Sequence, residues 1–340
     1  MKKVLIIAEA GVNHNGSMDI AKQLIDVAVE AGVDYVKFQT FKVDKLVSIN
    51  AKKAEYQKMN MSDDKSDSQY DMLKKLELSV EDHYELINYC KQKNIRFLST
   101  AFDLESVDLL NELGIDLFKI PSGEITNLPY LKKIGALNKK VIVSTGMCVM
   151  DEISEAVKVL VEAGTLKEDI SVLHCTTDYP TAMEDVNLNA MLSIQKQLLL
   201  SVGYSDHTLG IEVPVAAVAM GATIIEKHFT LDKTLPGPDH KASLEPNELI
   251  AMVKAIRNVE VAIGKFEKKP TENEIKNILI ARKSIHLSKK LTKGTIIQES
   301  DLIMKRPGDG ISPMLIDQVI GKRVNTDFDV EHKLSWENIK

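Results

Sequence analysis

Cysteine, tryptophan and long apolar runs are scarce in this chain of 340 residues, which contains three Cys and one Trp. So few cysteines cannot build a disulfide scaffold, and Cys90, Cys148 and Cys175 are predicted to be reduced thiols. No stretch approaches the roughly 18 consecutive apolar residues of a membrane span, and the apolar run near the amino terminus is too short for a signal peptide. We therefore expect a cytoplasmic protein that has no membrane partner.

A strong excess of either charge is also lacking, since 43 Lys and Arg residues stand against 49 Asp and Glu residues. This mildly acidic balance argues against nucleic acid as the main partner. The charge is nevertheless uneven, because residues 281–340 hold 11 basic and 8 acidic residues whereas the first 280 hold 32 and 41. The change of charge coincides with a change of residue pattern and indicates a domain boundary.

Short apolar runs alternate with helical patterns through the first 265 residues. Runs of this kind, rich in Val and Ile, are typical of buried parallel strands. Eight are predicted: Val4–Ala8, Tyr35–Phe38, Arg96–Leu98, Leu117–Ile120, Val141–Val143, Ser171–Leu173, Ser201–Gly203 and Thr223–Ile225. Eight strands alternating with helices favour a (β/α)₈ barrel. An open doubly wound sheet is the alternative, but no glycine-rich phosphate loop follows the first strand.

The chain is therefore divided into a barrel over 1–265, a charged linker over 266–280 and a small β-rich module over 281–340. In the module, Ser284–Leu287 and Thr295–Ile297 have the pattern of strands. The long polar stretch from Thr40 to Ser79 is predicted to pass over the mouth of the barrel.

Polar residues occur at the carboxyl end of each predicted strand, where the active site of a barrel lies. Among them, Lys37 and Lys119 stand in apolar contexts, and a buried ammonium needs a partner. Three interpretations remain open: the lysines bind a phosphate and a carboxylate, they pair with a glutamate such as Glu124 or Glu9, or Lys119 forms a Schiff base.

Two histidines, His207 and His228, follow the last two predicted strands. Imidazoles on adjacent strands can share one divalent ion and leave positions for water and substrate. Glu226 lies two residues before His228 and so faces the same side of its strand, where it could orient a water molecule. Asp239 stands in a rigid turn and could bind a sugar hydroxyl.

Several segments in order along the barrel are distinctive: AEAGVNHNGS, VKFQTF, FLSTAFD, FKIPSGE, VSTGM, LHCTTDYPT, GYSDHTLG, EKHFTLDK and PGPDHKAS. Together they resemble the bacterial sialic acid synthase family, the nonulosonic-acid synthases. The tail ARKSIHLSKKLTKGTIIQESDLIMKRPGDGISP resembles that family's C-terminal antifreeze-like (SAF) module. The resemblance covers nearly the whole chain and implies a TIM barrel followed by a small SAF domain of the β-clip type.

The resemblance also implies the reaction: phosphoenolpyruvate condenses with an open-chain N-acetylated amino sugar to a nine-carbon 2-keto acid, and phosphate leaves by C–O cleavage. It implies the following residue roles: Glu9 as a catalytic carboxylate; Lys37, Thr100, Lys119, Ser122, Ser144 and Ser205 as phosphoenolpyruvate contacts; His207 and His228 as ligands of Mn²⁺ or Mg²⁺; Tyr179 and Asp239 as sugar contacts. Thr177 is a further expected phosphoenolpyruvate contact, at a position where many members have Asn. Arg306 matches an arginine inserted into the partner's site, which implies a domain-swapped homodimer.

The acceptor sugar is less defined by the motifs. They favour N-acetylneuraminate synthase activity on N-acetylmannosamine, with N,N′-diacetyllegionaminate synthase activity on 2,4-diacetamido-2,4,6-trideoxymannose as the alternative. A Schiff-base pyruvate aldolase is a more remote possibility, and a metal-dependent sugar isomerase or an ice-binding protein is less favoured still.

Overall fold

The computed structural model describes residues 3–61 and 66–340. It divides the chain into two compact units, Met1–Gly264 and Lys265–Lys340. Among the described residues, no helix has both the length and the apolar character needed to cross a bilayer.

The first unit is a closed barrel of eight parallel strands, which confirms the predicted fold class. The strands are β1 (Leu5–Gly11), β2 (Tyr35–Thr40), β3 (Arg96–Ala101), β4 (Leu117–Ile120), β5 (Lys140–Ser144), β6 (Ile170–Cys175), β7 (Ser201–Asp206) and β8 (Ile224–His228). The barrel closes by parallel pairing of β1 with β8. Buried Val, Ile, Leu and Phe side chains of the strands form the core with the surrounding helices.

Six of the predicted strands end too early, because β1, β2, β3, β6, β7 and β8 run two or three residues beyond the end of their apolar patterns. The additional residues include Thr100, Ser205 and His228, which are polar but buried. Hydrophobicity alone does not detect such residues, since they are buried in a cavity rather than in the apolar core. The predicted site residues therefore lie within the strands as well as after them.

Helices cover the outside of the barrel and alternate with the strands. They are α1 (Met18–Ala31), α5 (Val80–Gln92), α6 (Leu104–Glu112), α7 (Leu128–Ala136), α8 (Met150–Ala163), α9 (Asn189–Leu198), α10 (Glu212–Ala219) and α11 (Pro246–Ala262). The sequence pattern did not single out α7, which contains Pro129 and Gly135. Glycine is required there, because a Cβ at Gly135 would lie 2.5 Å from the Cβ of Ala163 and 2.9 Å from the Leu160 carbonyl oxygen.

The long segment between β2 and α5 contains three short helices, α2 (Val43–Leu46), α3 (Glu55–Asn60) and α4 (Gln69–Lys74). We call residues 41–78 the excursion. Its apolar side chains form a hydrophobic cluster that is separate from the barrel core and includes Phe41, Val43 and Leu76. Val12, directly after β1, belongs to the same cluster, so the excursion is anchored on the carboxyl end of the barrel.

The second unit contains α12 (Glu272–Ala281), β9 (Ser284–Leu287), β10 (Leu302–Lys305) and α13 (Ile316–Val319). The strand prediction for Ser284–Leu287 is confirmed, and β9 pairs antiparallel with β10. The predicted linker over 266–280 contains most of α12, which begins after a capping box at Thr271. The predicted strand Thr295–Ile297 is only an isolated bridge between Ile296 and Arg323.

Candidate active site

A cavity of about 170 Å³ opens at the carboxyl ends of the strands, where active sites of this fold lie. Twelve predicted site residues line it: Glu9, Lys37, Thr100, Lys119, Ser122, Ser144, Thr177, Tyr179, Ser205, His207, Glu226 and His228. Asp239 lines a neighbouring cavity, and Arg306 belongs to the second unit. The barrel thus brings together polar side chains that are far apart in the sequence.

The end of β1 has a backbone conformation that the site requires. The register between β1 and β2 shifts between Glu9 and Gly11, and Gly11 has a φ of +52°. A Cβ at this position would lie 3.1 Å from Glu9 Oε1 and 3.4 Å from Cε1 of His228. Glycine therefore allows the Glu9 carboxyl group and the His228 ring to approach each other beside the bulge.

Glu226 is the centre of a buried charge cluster. Its Oε1 atom accepts hydrogen bonds from Lys119 Nζ at 3.1 Å and from Ser205 Oγ at 2.9 Å, and its Oε2 atom lies 3.6 Å from Lys37 Nζ. Burial raises the pKa of Glu226, but the ammonium groups of Lys119 and Lys37 outweigh it and hold the pKa well below its usual range. The Glu226 carboxylate is therefore ionised and acts as an acceptor.

Glu9 is the second buried carboxyl group and forms an ion pair with Lys37. Lys37 Nζ also donates to Thr100 Oγ1 at 3.0 Å. Burial, together with the negative charge of Glu226, raises the pKa of Glu9 to about 7 against the opposing effect of Lys37. Glu9 can therefore gain or lose a proton near neutral pH, whereas Glu226 cannot.

The expected partner of Lys119 needs a correction. A structural Lys–Glu pair was one of the open interpretations, with Glu124 or Glu9 as the partner, but the structure pairs Lys119 with Glu226. Glu226 stands 107 positions further along the chain and reaches Lys119 across the inside of the barrel. Local sequence could not indicate this partner, because only closure of the barrel makes the two residues neighbours.

Hydroxyl groups surround the two ammonium groups. Ser144 Oγ is buried and has no hydrogen-bond partner among the residues that the structure describes. Ser122 Oγ accepts a hydrogen bond from the Gly146 amide at 2.9 Å and lies 3.3 Å from Cys175 Sγ, which is its second hydrogen-bond partner. Thr177 lines the cavity, and its methyl group lies so close to Gly146 that a Cβ there would be 2.6 Å from it. Ammonium and hydroxyl donors together suit a phosphate or carboxylate.

The rings of His207 and His228 face each other with their centroids 5.5 Å apart. Burial lowers the pKa of His207 to about 4 and holds that of His228 well below its usual value, so both imidazoles are neutral at pH 7. Nδ1 of His207 lies 2.5 Å from the Thr176 carbonyl oxygen and must donate to it, which leaves Nε2 as an acceptor. A carbonyl partner of this kind commonly orients a metal-binding histidine.

The chemistry of these donors fits a divalent ion. His228 Nδ1 is buried and has no hydrogen-bond partner in the described parts of the chain, and neutral imidazole nitrogen is a common metal ligand. Within residues 3–61 and 66–340, no group of three or more His, Cys, Asp or Glu side chains is arranged to hold a metal. The protein would therefore supply two ligands, and water or substrate would supply the others.

The two residues expected to contact the sugar lie beside these histidines. The Tyr179 ring packs on His207 with a centroid distance of 4.1 Å and meets His228 edge-on at 5.7 Å. Asp239 Oδ2 lies 4.0 Å from His228 Nδ1, and burial raises the pKa of Asp239 to about 6. Asn60, from the excursion, donates to the Tyr179 carbonyl at 3.2 Å and to the Pro238 carbonyl at 2.7 Å. It joins the two loops that carry Tyr179 and Asp239.

Arg306 directly follows β10 in the second unit and is exposed there. Its guanidinium group forms no hydrogen bond or ion pair with the residues that the structure describes in its own chain. The predicted role of Arg306 in a partner's site stays a prediction.

Sequence reasoning assigned no role to several residues that shape the site. Gln39, Phe102, Met147 and Cys175 also line the cavity, and Asn60 fastens its loops. Gln39 is recognisable as a polar residue at the end of a strand, because it lies two positions after Lys37 and so faces the same side. Asn60 is not recognisable in this way, since it lies in a polar segment without clear periodicity.

The fold and the cavity define a (β/α)₈-barrel protein with a charged site at the carboxyl ends of its strands and a small β-rich unit after the barrel. The chain belongs to the NeuB family, whose model matches residues 24–268, and an SAF domain model matches residues 282–329.

The chain is 56% identical to the N,N'-diacetyllegionaminic acid synthase of Campylobacter jejuni over 96% of its own length and 98% of the relative's. It is 49% identical to the protein of the same name from Legionella pneumophila, over 98% and 94% of the two chains. Among solved structures, the N-acetylneuraminic acid (sialic acid) synthetase of Leptospira borgpetersenii in complex with citrate is 32% identical. That match has a TM-score of 0.70 and covers 82% of this chain and 90% of the other.

Proposed function

We propose that this protein condenses phosphoenolpyruvate with an open-chain N-acetylated amino sugar, to give a nine-carbon 2-keto acid and phosphate. C3 of phosphoenolpyruvate forms a bond to the aldehyde carbon, water adds to C2, and the C2–O bond breaks so that phosphate leaves with the bridging oxygen. The observation that carries the proposal is the buried pair of Lys37 and Lys119 among hydroxyl donors at the mouth of the barrel.

The charge of the cluster suits an anionic substrate. Phosphoenolpyruvate brings about three negative charges into the cavity, and fixed cations are the means by which a protein binds them. Lys37 and Lys119 are 3% and 5% exposed, so their charges are poorly screened by water. The unpartnered hydroxyl of Ser144 supplies a further donor for the phosphate or carboxylate. Because Lys119 forms an ion pair with Glu226, we interpret it as a fixed cation rather than as a lysine that forms a Schiff base.

Glu226 and Glu9 suit different roles. Glu226 is ionised, and its Oε2 atom accepts no hydrogen bond from the residues described, so it can orient the water that adds to C2. Glu9 lies beside His228 and burial raises its pKa to about 7, so it can deliver a proton to the oxygen of the acceptor aldehyde. Glu9 regains this proton from the water that adds to C2, and the second proton of the water leaves with the phosphate, so the reaction balances.

His207 and His228 are proposed to hold Mn²⁺ or Mg²⁺, which when bound would polarise the acceptor aldehyde. The neutral state of both imidazoles supports this assignment, as does the Nδ1 atom of His228, which has no hydrogen-bond partner among the residues described. Complete removal of divalent metal should abolish turnover, and added Mn²⁺ should restore it. Full activity after chelation would remove His207 and His228 from the mechanism.

The acceptor proposed here is 2,4-diacetamido-2,4,6-trideoxymannose, the alternative among the acceptors expected from the motifs. From the motifs alone we favoured N-acetylmannosamine. The two curated relatives with 56% and 49% identity carry the name N,N'-diacetyllegionaminic acid synthase, and they support the alternative. Release of phosphate from phosphoenolpyruvate, measured with each sugar and with or without Mn²⁺, tests reaction and acceptor together. Borohydride trapping of pyruvate on Lys119 would instead indicate an aldolase.

A domain-swapped homodimer, in which each copy lends Arg306 to its partner's acceptor site, is also proposed. The exposure of Arg306 and the net positive charge of the second unit support it. Mixing inactive Arg306→Ala protein with inactive Glu226→Gln protein should restore activity, because a hybrid dimer contains one complete site. If the mixture stays inactive after subunit exchange has been demonstrated, each chain completes its own site.

A further inference from the structure

A second cavity of about 250 Å³ adjoins the charged one beneath the excursion. The two cavities share four lining residues, which are Gln39, Phe102, Tyr179 and His228. The second cavity therefore begins beside His228, one of the two proposed metal ligands, and Tyr179, a proposed sugar contact, and none of the lysines of the charged cavity lines it. We call it the excursion cavity.

The walls of the excursion cavity are mostly apolar. Phe41 and Met72 are 2% and 3% exposed, and Leu46, Val47 and Leu73 complete the surface that the excursion provides. Phe41 belongs to the hydrophobic cluster that is separate from the barrel core. This lining differs from that of the charged cavity, which the phosphoenolpyruvate contacts dominate.

Three side-chain amides and the buried carboxyl group of Asp239 interrupt the apolar wall. Gln57 is held in place, because its side-chain oxygen accepts a hydrogen bond from the Ala54 amide at 2.9 Å. Gln69, at the start of α4, is half-buried and its side-chain amide makes no hydrogen bond within the described ranges. Gln39 likewise offers an amide without a partner there. Such groups can donate to, and accept from, an acetamido group.

We propose that the excursion cavity binds the end of the acceptor sugar that is remote from the aldehyde, with a 6-deoxy methyl group against Phe41 and Met72 and a second acetamido group at Gln69. This inference rests on the proposed function, whose acceptor must reach the cavity from the reacting end beside His228. It makes Met72 and Gln69 specificity-determining residues for a 6-deoxy, diacetamido sugar over N-acetylmannosamine.

The physical basis is the difference between a methyl group and a hydroxyl group. N-acetylmannosamine would place hydroxyl groups at C4 and C6 where the apolar wall offers few hydrogen bonds, and burying such a group without a partner is costly. Discrimination between close analogues in an apolar pocket commonly amounts to about 10- to 200-fold in kcat/KM. The diacetamido sugar instead presents a methyl group and an amide, which match Met72 and Gln69.

The test compares kcat/KM for phosphate release with the two sugars, using the full chain and saturating phosphoenolpyruvate and Mn²⁺. Met72→Gln should reduce the preference for the diacetamido sugar about tenfold, because the new amide can bind a hydroxyl group. Gln69→Met keeps the length of the side chain and removes the amide, and it should raise KM for the diacetamido sugar more than KM for N-acetylmannosamine, so the ratio of the two kcat/KM values should fall. Because Gln69 is only half-buried, this variant should fold even if Met72→Gln does not.

Met183→Gln is the matched control, since Met183 is 54% exposed and lines neither cavity. It should leave the ratio of kcat/KM values unchanged. Turnover by the wild-type protein combined with an unaltered ratio in both cavity variants would overturn this inference and leave the proposed reaction standing. A wild-type preference for N-acetylmannosamine would likewise overturn it. Absence of phosphate release with either sugar would overturn the proposed function and this inference with it.

Discussion

Replacing Glu226 with glutamine tests the charge cluster directly. The substitution keeps the shape of the side chain and its position beside Ser205, but it removes the negative charge that lies 3.1 Å from Lys119 Nζ and 3.6 Å from Lys37 Nζ. At an effective dielectric constant of about 20, each of these contacts corresponds to about 5 kcal/mol of Coulomb attraction. Solvation of the charges offsets most of that attraction, and losing one member of a buried ion pair commonly costs about 3–5 kcal/mol.

We therefore expect Glu226→Gln to lower the free energy of unfolding by about 3–5 kcal/mol. Phosphoenolpyruvate should stabilise the variant more than the wild-type protein, because its anionic groups replace the missing charge beside Lys119 and Lys37. Turnover should fall at least about 100-fold, because the neutral amide lacks the negative charge with which Glu226 orients the attacking water. Urea unfolding with and without phosphoenolpyruvate, followed by steady-state phosphate release, measures all three effects.

The matched control is Glu124→Gln, since Glu124 is also partly buried near the mouth of the barrel but lies in neither cavity and pairs with Asn127 rather than a lysine. It should change stability by less than about 1 kcal/mol and leave turnover intact. Near-normal turnover of Glu226→Gln would refute the role of this carboxylate in orienting water. Unchanged stability would refute the ion cluster itself.

Three further predictions concern positions around the site. Lys227 is fully buried, 2.5 Å from Asp206, so Lys227→Met should cost about 3–5 kcal/mol in urea unfolding, and adding Asp206→Leu should recover part of it. Burial lowers the pKa of His14 to about 4, so as the pH falls His14 takes up a proton in the unfolded chain before it does so in the folded protein. The free energy of unfolding should therefore fall between about pH 6.5 and 4, and it should fall less steeply in a His14→Gln variant. If the free energy of unfolding of the variant fell with pH as steeply as that of the wild-type protein, this prediction would be wrong. Asn60→Ala should raise KM for the sugar but not for phosphoenolpyruvate in steady-state kinetics, because it releases the loops carrying Tyr179 and Asp239.

The barrel could be predicted from the sequence because parallel strands buried on both faces leave continuous apolar runs, as in Val141–Val143. The ends of the strands could not, because residues such as Ser205 and His228 are buried by the cavity rather than by apolar packing. The close packing of α7 against α8 could not be predicted, because the need for glycine at Gly135 arises only from its contact with Leu160 and Ala163 of the neighbouring helix.

The composition of the charged cavity was also predictable, because lysines within apolar strands are rare without a function or a partner. The ion pairs within the cavity could not be predicted, because Glu226 meets Lys119 only when the barrel closes. The residues that line the excursion cavity could not be predicted, because they come from short helices in a segment with weak periodicity and from loops after distant strands. The role of Asn60, which joins two of those loops, could not be predicted either, because Asn60 lies in the same weakly periodic segment.

The most direct test of the proposed reaction uses phosphoenolpyruvate labelled with ¹⁸O at the bridging oxygen, together with 2,4-diacetamido-2,4,6-trideoxymannose and Mn²⁺. If C3 attacks the aldehyde and water adds to C2, the C2–O bond breaks and the released phosphate carries the label. The nine-carbon product then takes its new C2 oxygen from water. Label retained in the keto acid, or phosphate released at the same rate without the sugar, would contradict the proposed mechanism.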